Sequence, residues 1–195
     1  MKTLINFLAF ITLFTNVAIA QVSWTVDPAH TNARFEAKHL GIAFVDGQFT
    51  KLEGKVSTSS DTDFNNAKVN FSIDVNSIDT RVEMRDNHLK SDDFFSAEKF
   101  PTMKLANAVL TGKNGKFSLT GDLTIRDVTE KVTFDVVQNN GIITDPWGKT
   151  RAGFTAKTSI NRFDYGISYS DKLPSGVFAV APEINIIVNV EITKD

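Results

Sequence analysis

The sequence predicts an all-β domain built from antiparallel strands. Apolar residues recur at every second position in segment after segment, which is the period of a strand with one buried and one solvated face. Asn-Gly pairs and an Asp-Pro-Trp-Gly run lie between several of these segments, and such residues favour tight turns. The 195 residues include 16 Phe, so the buried faces carry large side chains without a polar group. Together these observations favour strands joined by short turns over a helical fold.

Seven alternating series mark the predicted strands. In chain order they cover residues 22–26, 33–37, 69–75, 117–125, 132–136, 152–160 and 184–192. Gly47 and Gly54 predict a bend or bulge in the stretch 44–56. Hairpin turns are predicted at Asn-Gly pairs in residues 113–116 and 139–141, and a further turn at 145–148. Short connections of this kind favour a meander.

The segment from residue 77 to 101 breaks the strand pattern. It is charged throughout, and residues 82–89 have helical spacing. We predict a short helical insertion around residues 79–97, with Asp79 or Thr80 as its cap. Without any linker or internal repeat, a second domain is not expected.

Composition excludes several classes of protein. With 42% hydrophobic residues, 23% charged residues and a net charge of -2, the chain is typical of one globular domain. It lacks the basic excess that bulk electrostatic binding to nucleic acid requires, so no nucleic-acid partner is expected. There is no cysteine, and a chain of this length builds a core without disulfides.

The first twenty residues are predicted to form a secretory signal peptide. A lysine precedes the apolar stretch 4–17, and an A-x-A pattern ends at Ala20. The stretch is short for a bilayer span, which disfavours the alternative of an N-terminal membrane anchor. Cleavage after Ala20 leaves residues 21–195 as one exported domain, periplasmic or secreted, without an integral membrane span.

Seven or eight amphipathic strands in one domain must bury a common apolar face. Two packed sheets or one sheet closed into a barrel would both do so. A barrel of about eight strands is filled by side chains or holds one small ligand. The alternation by itself leaves the sandwich, the filled barrel and the hollow barrel open.

Several motifs resemble the YceI-like family of exported polyisoprenoid-binding proteins. The similarity begins at WTVDPAHTNARFEAKHLGIAFVDGQF and continues, in the family's order, through SIDTRVEMRDNHLKSDDFFSAEKFPTMKL, GDLTIRDVTEKVTFDV, DPWGKTRAGFTAKTSINRFDYGI and EINIIVNVEI. The resemblance implies an eight-stranded lipocalin-like antiparallel barrel over residues 21–195. It also implies a non-enzymatic carrier of a long amphiphile such as an isoprenoid quinone or a prenyl phosphate. The chain departs from the family pattern at residues 126–130 and 165–169.

The inward faces of the predicted strands supply the expected wall for an apolar tail. The residues assigned to it are Phe35, Phe71, Ile73, Leu119, Leu123, Phe134, Phe154, Ile186 and Val188. A core filled by phenylalanine would give the same alternation, and the family resemblance favours the cavity. An all-carbon wall suits a hydrocarbon tail, because each buried CH2 contributes about 0.8 kcal/mol.

Polar residues in the motifs are candidates for a head-group site or barrel rim. They are His39, Arg85, Asp86, His88, Trp147, Arg151 and Arg162. An arginine at a pocket mouth binds phosphate through bidentate hydrogen bonds, although solvated surface arginines are more common. Histidines that satisfy backbone groups in turns are an equally good interpretation of His39 and His88.

The sequence contains no recognisable catalytic or metal-binding motif. The histidines lack a metal-ligand spacing, and no nucleophile lies in a known motif with its base. We therefore expect no catalytic residue, no metal and no cofactor other than the bound lipid. A lipid-modifying enzyme that uses rim residues, or a ligand-free β-domain for protein contacts, are the alternatives. The expected partners are the lipid and, transiently, a membrane, with the protein a monomer or homodimer.

Overall fold

The computed structural model describes residues 21–195, and the predicted signal peptide lies outside them. The described part contains eleven strands, one α-helix and three short 3-10 turns. The strands are β1 (Val22–Val26), β2 (Asn32–His39), β3 (Ala43–Phe49), β4 (Leu52–Thr58), β5 (Ala67–Asp74), β6 (Ile78–Asp79), β7 (Thr102–Lys113), β8 (Lys116–Ile125), β9 (Val128–Thr144), β10 (Thr150–Asn161) and β11 (Val180–Lys194). The helix, α1, spans Glu83–Lys90.

One antiparallel sheet closes on itself to form the barrel. Eight strands follow one another around it in the order β1, β4, β5, β7, β8, β9, β10, β11, and β11 pairs with β1 to close the ring. The first half of β11 pairs with β2, which carries β3 on its other edge. Thus β2 and β1 pair one after the other along the same edge of β11. In the next position around the barrel, β3 pairs with β2 and β4 pairs with β1. The predicted eight-stranded barrel is confirmed.

Besides the two-residue strand β6, the strands β3, β4 and β7 lie outside the predicted series, and the reasons are identifiable. Between β3 and β4 the strand direction is interrupted at Thr50 and Lys51, so period two does not run through this stretch. In β7 the register against β8 shifts between Ala106 and Val109, and Asn107 has a φ of 50°. One extra residue in a bulge reverses which positions face inward.

The two predicted Asn-Gly turns have different outcomes. Asn114 and Gly115 have φ values of 55° and 74° and join β7 to β8, as a two-residue hairpin turn with positive φ requires. The prediction of a hairpin at residues 139–141 is wrong, because β9 runs straight through them. Asn140 has a φ of 59°, and the register against β10 shifts opposite it, so a bulge absorbs two extra residues of β9. The predicted turn at 145–148 does connect β9 to β10.

The helix lies inside the predicted insertion but begins later than the predicted cap. Val82 occupies the N-cap position and makes no side-chain capping bond, so the assignment of Asp79 or Thr80 as the cap is wrong. Instead the Asp86 carboxylate reaches back out of the first turn. It accepts hydrogen bonds from the Thr80 backbone N–H at 2.9 Å and the Thr80 hydroxyl at 2.5 Å.

The two ends of the barrel carry different segments. The α1 end holds the β2–β3 turn, β6, α1, the β8–β9 turn and the long connection from β10 to β11. The opposite end, here called the Phe64 end, holds the β4–β5 loop that contains Phe64 and the β7–β8 and β9–β10 turns. Each candidate site residue is therefore described below by the end of the barrel at which it lies.

A glycine on β8 fits against the bulge of β7. A methyl group at Gly121 would lie 2.5 Å from Cβ and 2.8 Å from Cα of Ala108. We expect Gly121→Ala to lower the free energy of unfolding by about 1–3 kcal/mol, because the overlapping atoms belong to the backbone or are fixed directly to it and can move apart only if the strands shift. Urea unfolding of the variant would measure the loss.

The matched control is Gly153→Ala on β10, where the nearest atoms to the new methyl group lie 3.9 Å away. This substitution should leave stability unchanged or raise it by up to about 1 kcal/mol, through the unfolded state. Equal stability of the two variants would contradict the close packing of β7 on β8.

Candidate functional site

An apolar cavity of about 180 Å³ lies inside the barrel. All of its lining residues are apolar except Arg34 and Lys104, which are exposed residues of their strands. Every residue that the sequence assigned to the tail-binding wall lies on its lining: Phe35, Phe71, Ile73, Leu119, Leu123, Phe134, Phe154, Ile186 and Val188. The structure thus brings this predicted set together around one space, and its role in binding a tail stays a prediction.

Two glycines make room for aromatic rings in the cavity wall. A methyl group at Gly47 would lie 2.2 Å from Cζ of Phe35, and one at Gly54 would lie 2.8 Å from Cδ2 of Phe71. Both rings therefore cross the inner face of the neighbouring strand, where a side chain would displace them. The strand interruption itself lies between these glycines.

The Phe64 end of the cavity is closed by packed aromatic rings. Phe64 is 2% exposed, and its ring centroid lies 5.1 Å from that of Trp24 and 4.9 Å from that of Phe154. The indole N–H of Trp24 donates to the Thr58 hydroxyl at 3.2 Å, which in turn donates to the Ser60 carbonyl at 2.6 Å. This end is packed, and these buried polar groups are satisfied.

Phe64 was not among the sequence-predicted site residues. It stands alone in the polar run DTDFNN, where no neighbouring apolar position gives a period. Other missed wall residues, such as Val69 and Val190, belong to alternating series that the sequence did reveal. Because they occupy the same face of their strands as the predicted wall residues, the alternation was sufficient to predict them.

A second apolar cluster closes the α1 end. Its buried members, here called the α1-end cluster, are Phe49, Val75, Ile78, Phe94, Ala97, Met103, Ile125, Tyr165 and Ile167. Phe49, Met103 and Ile125 also line the cavity, so the cluster and the cavity share a wall. The partly buried Phe95 packs on the cluster and also lines the cavity.

Two buried polar atoms at the α1 end lack hydrogen-bond partners among residues 21–195. They are the Tyr165 hydroxyl and the Arg126 Nε. Tyr165 is 2% exposed, and burial, followed by the negative charges of Glu130 and Asp164, raises its pKa from 10.0 to about 12. Sequence reasoning named neither residue as a site residue, although both fall in the segments where the chain departs from the family pattern.

Arg85 and Asp86 of the predicted rim both bind Thr80. The guanidinium of Arg85 donates to the Thr80 hydroxyl at 2.8 Å and to the Thr80 carbonyl at 2.7 Å. Thr80 is 1% exposed, so these contacts fasten α1 to the end of β6. Both charged side chains are committed to internal contacts.

The remaining rim residues at the α1 end have separate surroundings. Arg162 is 3% exposed and donates to the carbonyls of Ile167, Val180 and Ala181 at 2.9, 2.9 and 3.1 Å. Its burial lowers the pKa of its guanidinium from the ordinary value. These bonds pin the β10–β11 connection to the barrel.

The two histidines of the predicted rim do not share a partner. His88 Nε2 lies 2.8 Å from the Asp93 carboxylate, and its ring packs edge-on against Phe94 and Tyr169. His39 is exposed at the end of β2. No nucleophile and base pair is formed by His39, His88 and Asp86 in the described chain.

Trp147 and Arg151 lie at the other end of the barrel. The Trp147 side chain is 82% exposed, so it does not cover the barrel end. Arg151 donates to Asp145 at 2.6 Å, to Asp27 at 2.8 Å and to Glu191 at 2.5 Å. The seven predicted rim residues therefore do not form one head-group site.

The carboxylates around Arg151 form an ion cluster rather than a metal centre. Asp27, His30 and Glu191 hold their ligand atoms within 4.8 Å of one another, a spacing that a metal ion can bridge. The guanidinium of Arg151 already neutralises two of them, and the three carboxylates, Asp145 first, raise the pKa of Arg151. We assign no metal to this group.

The ion cluster predicts a specific sensitivity to acid. Hydrogen bonds from His30 and then Arg151 lower the pKa of Asp27 from 3.8 to about 2. Its contribution to stability is complete above pH 3.8 and is lost as the pH falls through about 2. We expect Asp27→Asn to lose less stability than the wild type when the pH is lowered from 3.8 to about 2. Urea unfolding of both proteins at these two pH values would measure the difference.

Asp46→Asn provides the charge-matched control, because the Asp46 carboxylate lies 3.9 Å from the exposed guanidinium of Arg81. This variant should keep the wild-type slope against pH. If it flattens the slope as much as Asp27→Asn does, general charge repulsion rather than the ion cluster sets the acid sensitivity.

Among residues 21–195, no helix has the length and hydropathy to cross a membrane.

Comparison with known proteins places the fold and the sequence in the same group. The model of the YceI-like domain matches residues 24–192. A UPF0312 protein of Shewanella denitrificans is 36% identical over 169 residues, which cover 85% of this chain and 87% of that protein. The YCEI protein of Campylobacter jejuni superposes with a TM-score of 0.65 at 26% identity, covering 96% of this chain and 99% of that one. A polyisoprenoid binding domain from Saccharophagus degradans shares the fold, with a TM-score of 0.63 at 13% identity over 89% of this chain and 99% of that one.

Proposed function

Because this chain belongs to the YceI-like domain family, we propose that its barrel binds the apolar tail of an amphiphilic lipid, with isoprenoid tails as the favoured class. The internal cavity carries the proposal, since its wall is made of hydrocarbon side chains. A polar substrate would lose its hydrogen bonds to water there without gaining new ones. A hydrocarbon tail makes no hydrogen bonds with water and so loses none. The name of the Saccharophagus degradans domain supports the isoprenoid class.

We infer that the tail enters from the α1 end. The Phe64 end is packed by Phe64, Trp24 and Phe154, and the polar groups of Trp24 and Thr58 are hydrogen-bonded there. The α1 end instead retains buried polar atoms without partners. An amphiphile whose head stays at the α1 end leaves the packed end undisturbed.

The role that fits such a site is sequestration or transport of the lipid after export. The predicted signal peptide supports a periplasmic or secreted location. Ile42, Phe44 and Met84 are 85%, 59% and 82% exposed at the α1 end. Apolar side chains around an entrance favour transient contact with a membrane, from which a lipid would pass into the barrel. The proposed role thus needs no membrane-spanning segment.

A binding role accounts for the site better than the two alternatives. An enzyme acting at the rim would need convergent polar groups, whereas His88, Asp86 and Arg85 contact different partners or anchor α1. A β-domain for protein contacts needs no internal apolar space. We therefore propose no catalytic residue for this protein.

Mass spectrometry of the protein purified from its host tests the function directly. Native spectra should show a bound species, and solvent extraction should release a lipid with an apolar tail. A protein that is reproducibly empty, and that also takes up neither prenyl quinones nor prenyl phosphates, would overturn the proposal.

Filling part of the cavity should weaken tail binding. Val188 lines the cavity on β11, and a larger ring there competes for the same space. We expect Val188→Phe to weaken binding of a prenyl quinone at least about tenfold, which corresponds to about 1.4 kcal/mol. Displacement of the quinone from the purified protein would measure the affinity.

The neighbouring residue gives the matched control. Ile187 is outside the cavity lining and pairs with the exposed Lys157 and Arg34, so it faces the opposite side of the sheet. Ile187→Phe should therefore keep wild-type affinity. Equal affinities in the two variants would place the ligand somewhere other than the cavity.

A further inference from the structure

The two uncommitted polar atoms belong to residues at the same end of the barrel, and the Arg126 guanidinium contacts the backbone next to Tyr165. Arg126 Nη1 donates to the carbonyl of Gly166 at 2.8 Å, and Gly166 directly follows Tyr165. The same Nη1 lies 3.3 Å from the carbonyl of Phe94, a member of the cluster that buries Tyr165. The Arg126 Nε and the Tyr165 hydroxyl have no partner among residues 21–195. Buried polar groups are nearly always hydrogen-bonded, so two exceptions in one region require an explanation.

Both residues adjoin the wall of the cavity at its α1 end without belonging to the lining. Tyr165 is buried in the α1-end cluster, whose members Phe49, Met103 and Ile125 line the cavity. Arg126 directly follows Ile125 along the chain. A tail that enters the cavity from the α1 end leaves its head at the end of the barrel that holds both residues.

The chemistry of the two atoms restricts what can satisfy them. A guanidinium Nε–H is only a donor. A phenol can donate or accept, and Tyr165 keeps its proton because burial and the nearby carboxylates raise its pKa to about 12. An oxygen acceptor on the ligand can satisfy both groups, because the guanidinium Nε–H and the phenol O–H can each donate to it. A quinone carbonyl and a phosphate oxygen share this property, whereas a hydrocarbon has no such atom.

We propose that Tyr165 and Arg126 form the head-group subsite of the barrel, where the phenol O–H and the guanidinium Nε–H donate to an oxygen of the amphiphile's head. This inference rests on the proposed function, since it assumes that a tail occupies the cavity. It assigns the head to residues other than the predicted rim set, whose charged members make internal contacts. In this proposal the two buried groups lack a hydrogen-bond partner only in the ligand-free barrel, and the bound head supplies one.

Tyr165→Phe isolates the hydroxyl while keeping the ring. Three ligands with the same prenyl chain would be compared on the mature protein: a prenyl benzoquinone, a prenyl monophosphate and the prenyl hydrocarbon without a head. We expect the variant to bind at least one of the headed ligands about three- to tenfold more weakly, the range that one hydrogen bond gives, and to bind the hydrocarbon as the wild type does. Selective loss for the quinone assigns a carbonyl to the subsite, and selective loss for the phosphate assigns a phosphate.

Stability without ligand gives a second readout. Because Phe in place of Tyr165 removes a buried group without a partner, the ligand-free variant should unfold at a higher urea concentration than the wild type. If the hydroxyl instead held the fold together, the variant would unfold at a lower concentration. That outcome would overturn the assignment.

Tyr169→Phe is the matched control, since Tyr169 packs on the same cluster but its hydroxyl donates to Asp171 at 3.1 Å. It should leave all three affinities at wild-type values. Arg126→Lys keeps the positive charge but removes the Nε donor, and should repeat the selective loss.

The outcomes separate the inference from the function on which it rests. If the wild type binds none of the three ligands, the tail-binding function itself fails. If it binds them and Tyr165→Phe weakens all three equally, or none, the barrel binds tails and the subsite assignment is wrong.

Discussion

Closure of the sheet by β11 is the constraint on which the rest of the structure depends. This strand pairs with β10 along one edge and with β2 and then β1 along the other. Closure leaves no open edge in the ring and fixes which face of every strand points inward. Because side chains alternate with period two, a shift of β11 by one residue would turn Ile186 and Val188 out of the barrel. The cavity therefore exists only in this register.

This dependence explains how much of the fold and site the sequence reveals. Alternation is a local pattern, so it located the strands that carry the wall, including Phe35 and Phe154. Closure and the bulges are not local: Asn140 has the composition of a turn residue, and only its pairing with β10 makes it a bulge. Phe64 reaches the cavity through a loop whose sequence has no period. The partners of the candidate arginines are equally non-local: Thr80 accepts from Arg85, and Asp27 accepts from Arg151.

The two barrel ends divide structural and functional roles. At the Phe64 end, aromatic packing is combined with satisfied indole and hydroxyl groups, and the Arg151 ion cluster joins β10 and β11 to Asp27, which directly follows β1. At the α1 end, packing is equally apolar, but Tyr165 and Arg126 each retain a donor without a partner. An unsatisfied buried group costs about 1–3 kcal/mol, so we expect the α1 end to open more easily than the Phe64 end. A ligand would enter at the end where less native packing and hydrogen bonding must be disrupted.

The cavity itself has a cost that argues for an occupant. Cavities in protein cores destabilise by about 24 cal/mol per Å³, so one of about 180 Å³ costs about 4 kcal/mol. Domains have a net stability of only about 5–15 kcal/mol, and larger side chains at Ala33 or Ala156 would reduce the empty space. A bound tail restores the missing contacts of the wall and adds stability in proportion to its saturation. The same volume is smaller than most ligand pockets, at about 300–1,000 Å³, so a long tail must also displace side chains at the α1 end as it enters. Phe95 is the candidate for that movement, because it is only partly buried and belongs to both the cavity wall and the edge of the α1-end cluster.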